Sequence, residues 1–406
     1  MLLLQIGCTP NSESSNQQTR VADSTYAQNT FGSDLQFLKK HTETIVLSNK
    51  KSQILVTPKM QGRVMTSTLD GLSGRSLGWV NNDLIASGKI KEHFTPYGGE
   101  DRFWIGPEGG QYSVFFKPGT QMDFENWYVP KAFNTEMWTL VSQSNDQLTV
   151  EKNMQLTNFK NYKFDVHVNR TIQLLNPVDV DSLLNIEVPE KLKQVAFESS
   201  NTITNVGDRK WTRKTGALSI WILSMFSPSP GVTVAIPYKE GPKEELGPIL
   251  TTDYFGEINE ERLSINDGMI YYYTDGKKRS KLGVGPRRAK SVAGYYDPNN
   301  QILTILQFSL PKNNNDYVNS LWKHQEHPYG GDVVNAYNDG PLEDGSQLGP
   351  FFELESSSPA AFLDSDQSMN HKHRIFHFKG NEQEMNNIAQ KVLGVGLEKI
   401  KSAFNK

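Results

Sequence analysis

Phe164-Asp-Val-His-Val-Asn-Arg-Thr-Ile-Gln-Leu-Leu175 is the stretch that decides the fold class. Phe164, Val166 and Val168 fall two apart, and Ile172 keeps the same parity. A period of two is that of a strand with one buried and one open face. Residues 147–155 alternate in the same way, so two neighbouring strands are expected here. Working outward, Thr-Ile-Val-Leu and Gln-Ile-Leu-Val flank a Ser-Asn-Lys-Lys-Ser turn within 43–56, which predicts a hairpin. Further strands are expected over 64–69, 217–226, 231–236, 269–274, 302–308, 351–355 and 374–378. Helical spacing is confined to 35–40, with Ser33 or Asp34 as cap, and to 382–392 and 397–404. Many strands without alternating helices predict a mainly β chain, a sandwich or barrel with short N- and C-terminal helices. There is no repeat of solenoid or propeller period. The Pro/Gly-rich segment 227–247 is the best candidate boundary, and it reads equally well as strand-connecting loops. The expectation is a single β domain over 31–406.

The 406 residues carry a net charge of −3, without the basic stripe of a nucleic-acid binder. No uninterrupted apolar run approaches the roughly 20 residues that span a bilayer. The single cysteine, Cys8, ends Met-Leu-Leu-Leu-Gln-Ile-Gly-Cys, an apolar stretch with a small residue before the thiol. Such a stretch is similar to the end of a bacterial lipoprotein signal, and the Ser/Asn/Gln/Thr-rich residues that follow suit a flexible tether. Gln5 and the lack of a basic segment before the apolar run depart from that pattern. We therefore expect a leader and tether over 1–30, acylation of Cys8, and an exported protein in the periplasm or at the cell surface. The competing reading is a cysteine in a disordered tail.

Three segments are dense in glycine, aromatics and charge. They are Tyr97-Gly-Gly-Glu-Asp-Arg-Phe-Trp-Ile-Gly-Pro-Glu-Gly-Gly110, the stretch 324–341 that contains Gly331-Asp-Val-Val-Asn-Ala-Tyr-Asn-Asp-Gly-Pro341, and 349–359 followed by His371, His373 and His377. Leu354-Glu355-Ser-Ser-Ser-Pro359, then Asn370-His-Lys-His-Arg-Ile-Phe-His-Phe378, resembles the C-terminal pattern of aldose epimerases. The first two blocks resemble uncharacterised exported members of the same galactose mutarotase-like superfamily. The resemblance implies a large antiparallel β-supersandwich and a carbohydrate ligand. It also implies that Glu355 is the base that takes the anomeric proton. Epimerases take their acid from a histidine on an earlier strand. This chain has no histidine between His167 and His324, so His327 is the candidate acid by proximity in sequence.

Around that pair, the expected sugar-binding residues are Arg102, Glu108, Trp104, Asp332, Asn335, Tyr337, Asp339 and Glu353. Arginine offers a planar fork for paired hydroxyls, and aromatic faces stack on sugar rings. Glu353 and Glu355 share a strand face, with carboxylates roughly 7 Å apart. That spacing suits a glycosidase pair in principle, but two neighbours on one strand flank a bond poorly. A bulge or a salt bridge to Arg102 is the stronger expectation. His324, Glu326, His327 and Asp332 have zinc-ligand chemistry, and Asp332 with Asp339 has calcium-ligand chemistry. A polar loop held by its own hydrogen bonds explains them better, so no cofactor is expected. A monomer is expected. The open alternatives are a sugar-active enzyme (epimerase, lyase or hydrolase), a non-catalytic carbohydrate-binding protein, and a structural lipoprotein.

Overall fold

The structure, a computed structural model, describes residues 26–342 and 344–404. Cys8 and its tether lie outside the described residues. The first helix among the described residues is Phe31–Lys39, capped by the Thr30 hydroxyl, which accepts from the Ser33 amide at 3.3 Å. The helix thus begins earlier than Ser33 or Asp34, because fully buried Phe31 anchors its first turn. Asp34 lies inside that turn and accepts instead from the Ser76 hydroxyl. Strands β1 (Ile45–Asn49), β2 (Ser52–Thr57) and β3 (Arg63–Thr68) form a small antiparallel sheet. The β1–β2 hairpin is the expected one, with Asn49 opposite Ser52 and Lys50 in the left-handed region at φ 57°.

β4 (Arg102–Gly106) starts a second sheet. β5 (Thr139–Gln143), β6 (Gln147–Thr157), β7 (Lys163–Leu174) and β8 (Lys193–Asn205) follow as one side of a third. β9 (Ser219–Phe226) returns to the second sheet, and β10 (Thr233–Pro237), β11 (Leu263–Asn266) and β12 (Met269–Tyr273) to the third. β13 (Ser280–Val284) joins the second sheet; β14 (Val292–Asp297) and β15 (Ile302–Phe308) join the third. β16 (Val334–Asn338) and β17 (Phe352–Ser357) complete the second sheet, and β18 (Ser368–Lys379) the third. Among the described residues, the third sheet has ten strands in the order β11-β12-β10-β14-β15-β18-β8-β7-β6-β5. The second has five, in the order β13-β16-β17-β9-β4. Every named pairing is antiparallel, as a mainly β sandwich predicts.

The two large sheets pack face to face. Ile375 of β18 and Leu354 of β17 belong to the same apolar core. The next side chains along β18, Phe376 and Phe378, point the other way. They pack under Met385, Ile388 and Leu393 of the helix Glu382–Val392 and under Leu397 and Ile400 of Leu397–Ser402. The C-terminal helices therefore close the outer side of the ten-stranded sheet. The five-stranded sheet has an outer side too, and it carries charge.

β4 and β16 occupy segments that read as loops in the sequence. Every residue in both strands is buried, so neither shows the apolar–polar alternation that announces a half-open strand.

Candidate functional site on the outer face of the five-stranded sheet

Register decides which side chains meet. Glu353 lies opposite Tyr337 and Glu355 opposite Asn335 on β16, while Lys281 on β13 lies opposite Tyr337. On the other flank Glu355 faces Leu223, which faces Arg102, and Trp104 faces Trp221. Because alternate residues share a face, Arg102, Trp104, Trp221, Lys281, Asn335, Tyr337, Glu353 and Glu355 all stand on the outer side.

Two ion pairs organise them. Arg102 Nη2 donates to Glu353 Oε1 at 2.7 Å, the salt bridge expected from sequence. Its guanidinium lies 4.5 Å from the Trp104 ring centroid and 4.9 Å from that of Phe94. Lys281 Nζ donates to Glu355 Oε2 at 2.9 Å, and Trp221 Nε1 donates to the same oxygen at 2.9 Å. Glu355 is fully buried, and its other oxygen, Oε1, has no protein partner. Arg102 Nε and Nη1 and the indole nitrogens of Trp104 and Trp127 are also buried without one. A buried polar atom left unpaired costs free energy, and a polar ligand recovers it.

Loops complete the rim. Glu108 directly follows Pro107 and hydrogen-bonds Trp322. Tyr254 donates its hydroxyl to Asp332 Oδ2 at 2.7 Å and accepts from Asn335 Nδ2 at 3.3 Å. Tyr337 donates to Asp339 Oδ1 at 2.6 Å, and the Gly349 amide donates to Asp339 Oδ2 at 3.0 Å. Gly283 lacks a side chain for a steric reason: a Cβ there would stand 2.0 Å from Asp332 Oδ2 and 2.5 Å from Asn335 Nδ2.

Three cations, Arg102, Lys281 and Arg279, share the site with five carboxyls, Glu108, Asp332, Asp339, Glu353 and Glu355. The excess carboxyls are driven towards their neutral form. Burial pushes Glu108 up to about 7, against the attraction of Lys281, and nearby Glu355 adds to the rise. Burial pushes Asp332 up to about 6, although the Tyr254 hydroxyl opposes it. Burial also raises Glu353, opposed first by Arg102. Burial depresses the Lys281 ammonium, and the carboxylates of Glu355, Glu108 and Glu353 more than offset that, so it sits above its ordinary value. Glu108, Asp332 and Glu353 are thus all raised towards neutral pH, chiefly by burial.

Of the residues singled out in sequence, the structure brings together Arg102, Trp104, Glu108, Glu353, Glu355, Asn335 and Tyr337. Asp332 and Asp339 join through Tyr254 and Tyr337. His327 is exposed on the loop between Tyr317 and Gly330, and it has no side-chain hydrogen bond or ion pair among the described residues. No hydrogen bond or ion pair joins it to fully buried Glu355 among the described residues, because a loop residue close in sequence to a strand need not fold over its outer face. His371, His373 and His377 share one face of β18, and it is the inner one. Ser356 Oγ lies 2.8 Å from both His371 Nε2 and His373 Nδ1, and His377 Nε2 lies 3.3 Å from Glu100. No group of three or more metal-binding side chains stands together among the described residues.

Sequence reasoning missed Lys281, Trp221, Tyr254 and Arg279. Lys281 and Arg279 sit in a basic run, Lys277-Lys-Arg-Ser-Lys281, that reads as a solvated turn. Only the pairing of β13 with β16 sets Lys281 beside Glu355.

Against known proteins, the profile of a family of unknown function, DUF6786, matches residues 29–404. The chain belongs to that family. No curated protein matches it in sequence. Among solved structures it is similar to a putative aldose 1-epimerase from Escherichia coli K12, with a TM-score of 0.50 at 13% identity over 82% of this chain and 98% of that one. A galactose mutarotase-like protein from Lactobacillus casei gives a TM-score of 0.45 at 10% identity, over 82% and 100% of the two chains. At such identities the likeness speaks to fold alone. The DUF6786 chain has a mutarotase-like fold.

Proposed function

We propose that this DUF6786 protein binds a sugar on the outer face of the five-stranded sheet and moves a proton on it. The observation that carries this reading is Glu355 itself. One carboxylate oxygen is held by Lys281 and Trp221, and the other is buried with no protein partner. A sugar hydroxyl offered to Oε1 meets an oriented base. Glu108, raised to about 7, supplies the complementary acid that the absent mid-chain histidines leave unfilled. In the forward step Glu355 takes the proton from the anomeric hydroxyl and Glu108 gives one to the ring oxygen. The bond between the anomeric carbon and the ring oxygen breaks, and an open-chain aldehyde results. Rotation about the next carbon–carbon bond and the reverse transfers close the ring as the other anomer. The buried, unpaired indole N–H groups of Trp104 and Trp127 are further donors for sugar hydroxyls.

Polarimetry of freshly dissolved glucose, galactose and other aldoses tests this. Anomer interconversion is expected to speed up with wild-type protein, and Glu355→Gln and Glu108→Gln each to lower the rate by about 100-fold or more. No acceleration of any aldose sinks the catalytic half. Two observations favour a second reading, a non-catalytic sugar-binding protein. Both ion pairs are buried, and each takes one oxygen of a glutamate out of chemistry. Sugar-dependent thermal stabilisation without anomer exchange would select it. We further propose that Cys8 is acylated and tethers this domain outside the cytoplasm, supported by its place after the short apolar stretch.

A further inference from the structure

Two large aromatic side chains stand exposed at opposite ends of the site. Phe124 is 48% exposed and Phe255 is 45% exposed. Isolated exposed phenylalanines are ordinary. These two are each held against the half-buried or buried groups of one polar face. Phe124 stacks on Trp127 at 6.1 Å and 25°, and Trp127 stacks on Trp322, the hydrogen-bond partner of Glu108, at 5.6 Å and 27°. Phe255 lies 4.4 Å from the Arg279 guanidinium, and its ring packs edge-on against Tyr337 at 5.9 Å. A continuous path joins them. It runs from Phe124 through Trp127 to Trp104 at 6.4 Å, and on to Arg102 at 4.5 Å. It then crosses to Glu353 at 2.7 Å and to Tyr337, its register partner, and ends at Phe255. From β4 across β9 and β17 to β16 is three strand spacings, about 14 Å. That span exceeds one pyranose ring; Phe255 packs on Tyr337 at one end of it, and Phe124 reaches Trp104 at the other through Trp127.

We propose that the ligand of this site is a neutral glycan chain of several sugars, not a free monosaccharide. One sugar sits over Glu355 and Glu108, and its neighbours stack on Phe124 and Phe255. This rests on the sugar-binding reading above and names its substrate class. The pairing of the cations selects a neutral chain, because Arg102 and Lys281 are already held by carboxylates. A glycan carboxylate or phosphate would have to displace Glu353 or Glu355 from its cation. The apolar faces of the end rings explain why surface-exposed phenylalanines, not polar residues, occupy those positions.

The test is titration of the whole protein with linear glucose, mannose and galactose oligosaccharides of one to six units, followed by calorimetry and by the fluorescence of Trp127 and Trp322. In at least one series affinity is expected to rise tenfold or more between one unit and four. Phe124→Ala and Phe255→Ala should each weaken the four-unit ligand about tenfold while leaving the one-unit ligand within twofold. Both side chains are half exposed, so the variants should keep the wild-type Tm. Equal affinity for one and four units overturns the chain-binding inference and leaves the sugar-binding reading standing. So do alanine variants that weaken both ligands alike. Binding by no member of any series overturns both.

Discussion

The two faces of β17 carry opposite kinds of chemistry one residue apart. On the outer side, Glu353 and Glu355 meet Arg102 and Lys281, and polar atoms of both pairs are left without protein partners. On the inner side, Phe352 and Leu354 lie in the apolar core and Ser356 bridges two histidines. The two histidines that Ser356 bridges are neutral: burial drives His371 and His373 down to about 3. The outer groups are charged or share protons. One strand thus separates a layer that holds the sheets together from a layer built to receive something, and the separation costs only the pleat.

The largest effect should come from unbalancing the outer face. Glu353→Ala leaves the Arg102 guanidinium buried without its partner and is expected to cost about 3–5 kcal/mol in urea unfolding. Replacing both, as Arg102→Met with Glu353→Leu, should recover most of that loss. A double variant as unstable as the single one would show that the pair itself, not the orphaned charge, holds the sheet. On the inner face, Leu354→Ala should cost about 2–5 kcal/mol through lost burial and a cavity, with no rescue by an outer-face change. If it costs less than 1 kcal/mol, the inner layer is not the structural one.

A smaller effect separates the faces by pH. His371 and His373 have folded values below their unfolded one, so the folded state binds fewer protons between about 3 and 6.5. Their contribution is present above 6.5 and is lost as the pH falls towards 3. Glu108 has a folded value of about 7, above its ordinary 4.5, so the folded state binds more protons between them. Its contribution is present below 4.5 and is lost as the pH rises through 7. Glu108→Gln should therefore raise Tm relative to wild type at pH 8, with the difference shrinking towards pH 4.5. A difference that does not change with pH would remove Glu108 as a proton donor. The smallest effect on the folded domain should come from Cys8→Ser. It is expected to leave Tm unchanged while moving the protein from the membrane to the soluble fraction of the expressing cells. Retention of the variant in membranes would end the acylation proposal.

How much was legible depended on what each strand faces. β7, with solvent on one side, shows its alternation openly, and the hairpin of β1 and β2 is bounded by turn residues. β8 did not show itself, although it is 13 residues long. Its inner positions include Ser199, Asn201 and Asn205, which serve Arg170 and the polar layer between the sheets, so polar residues occur on both faces and the period disappears. β4 and β16 are hidden for the converse reason, being buried on both sides. At the site, the shared face of Glu353 and Glu355 and the partnership with Arg102 were readable from parity and charge. Lys281, Trp221 and Tyr254 were not.

The β class, the terminal helices, the resemblance to mutarotase-like proteins and the strand that carries the two glutamates were all readable along the chain, because these depend on local periodicity and short motifs. The pairing of each cation with its carboxylate, the approach of Glu108 to Glu355 and the inward turn of the C-terminal histidines were settled by long-range packing. The meeting of Lys281 with Glu355 depends on antiparallel register between β13 and β16, which are distant in the chain, and a one-residue slip there would turn Lys281 to the other face.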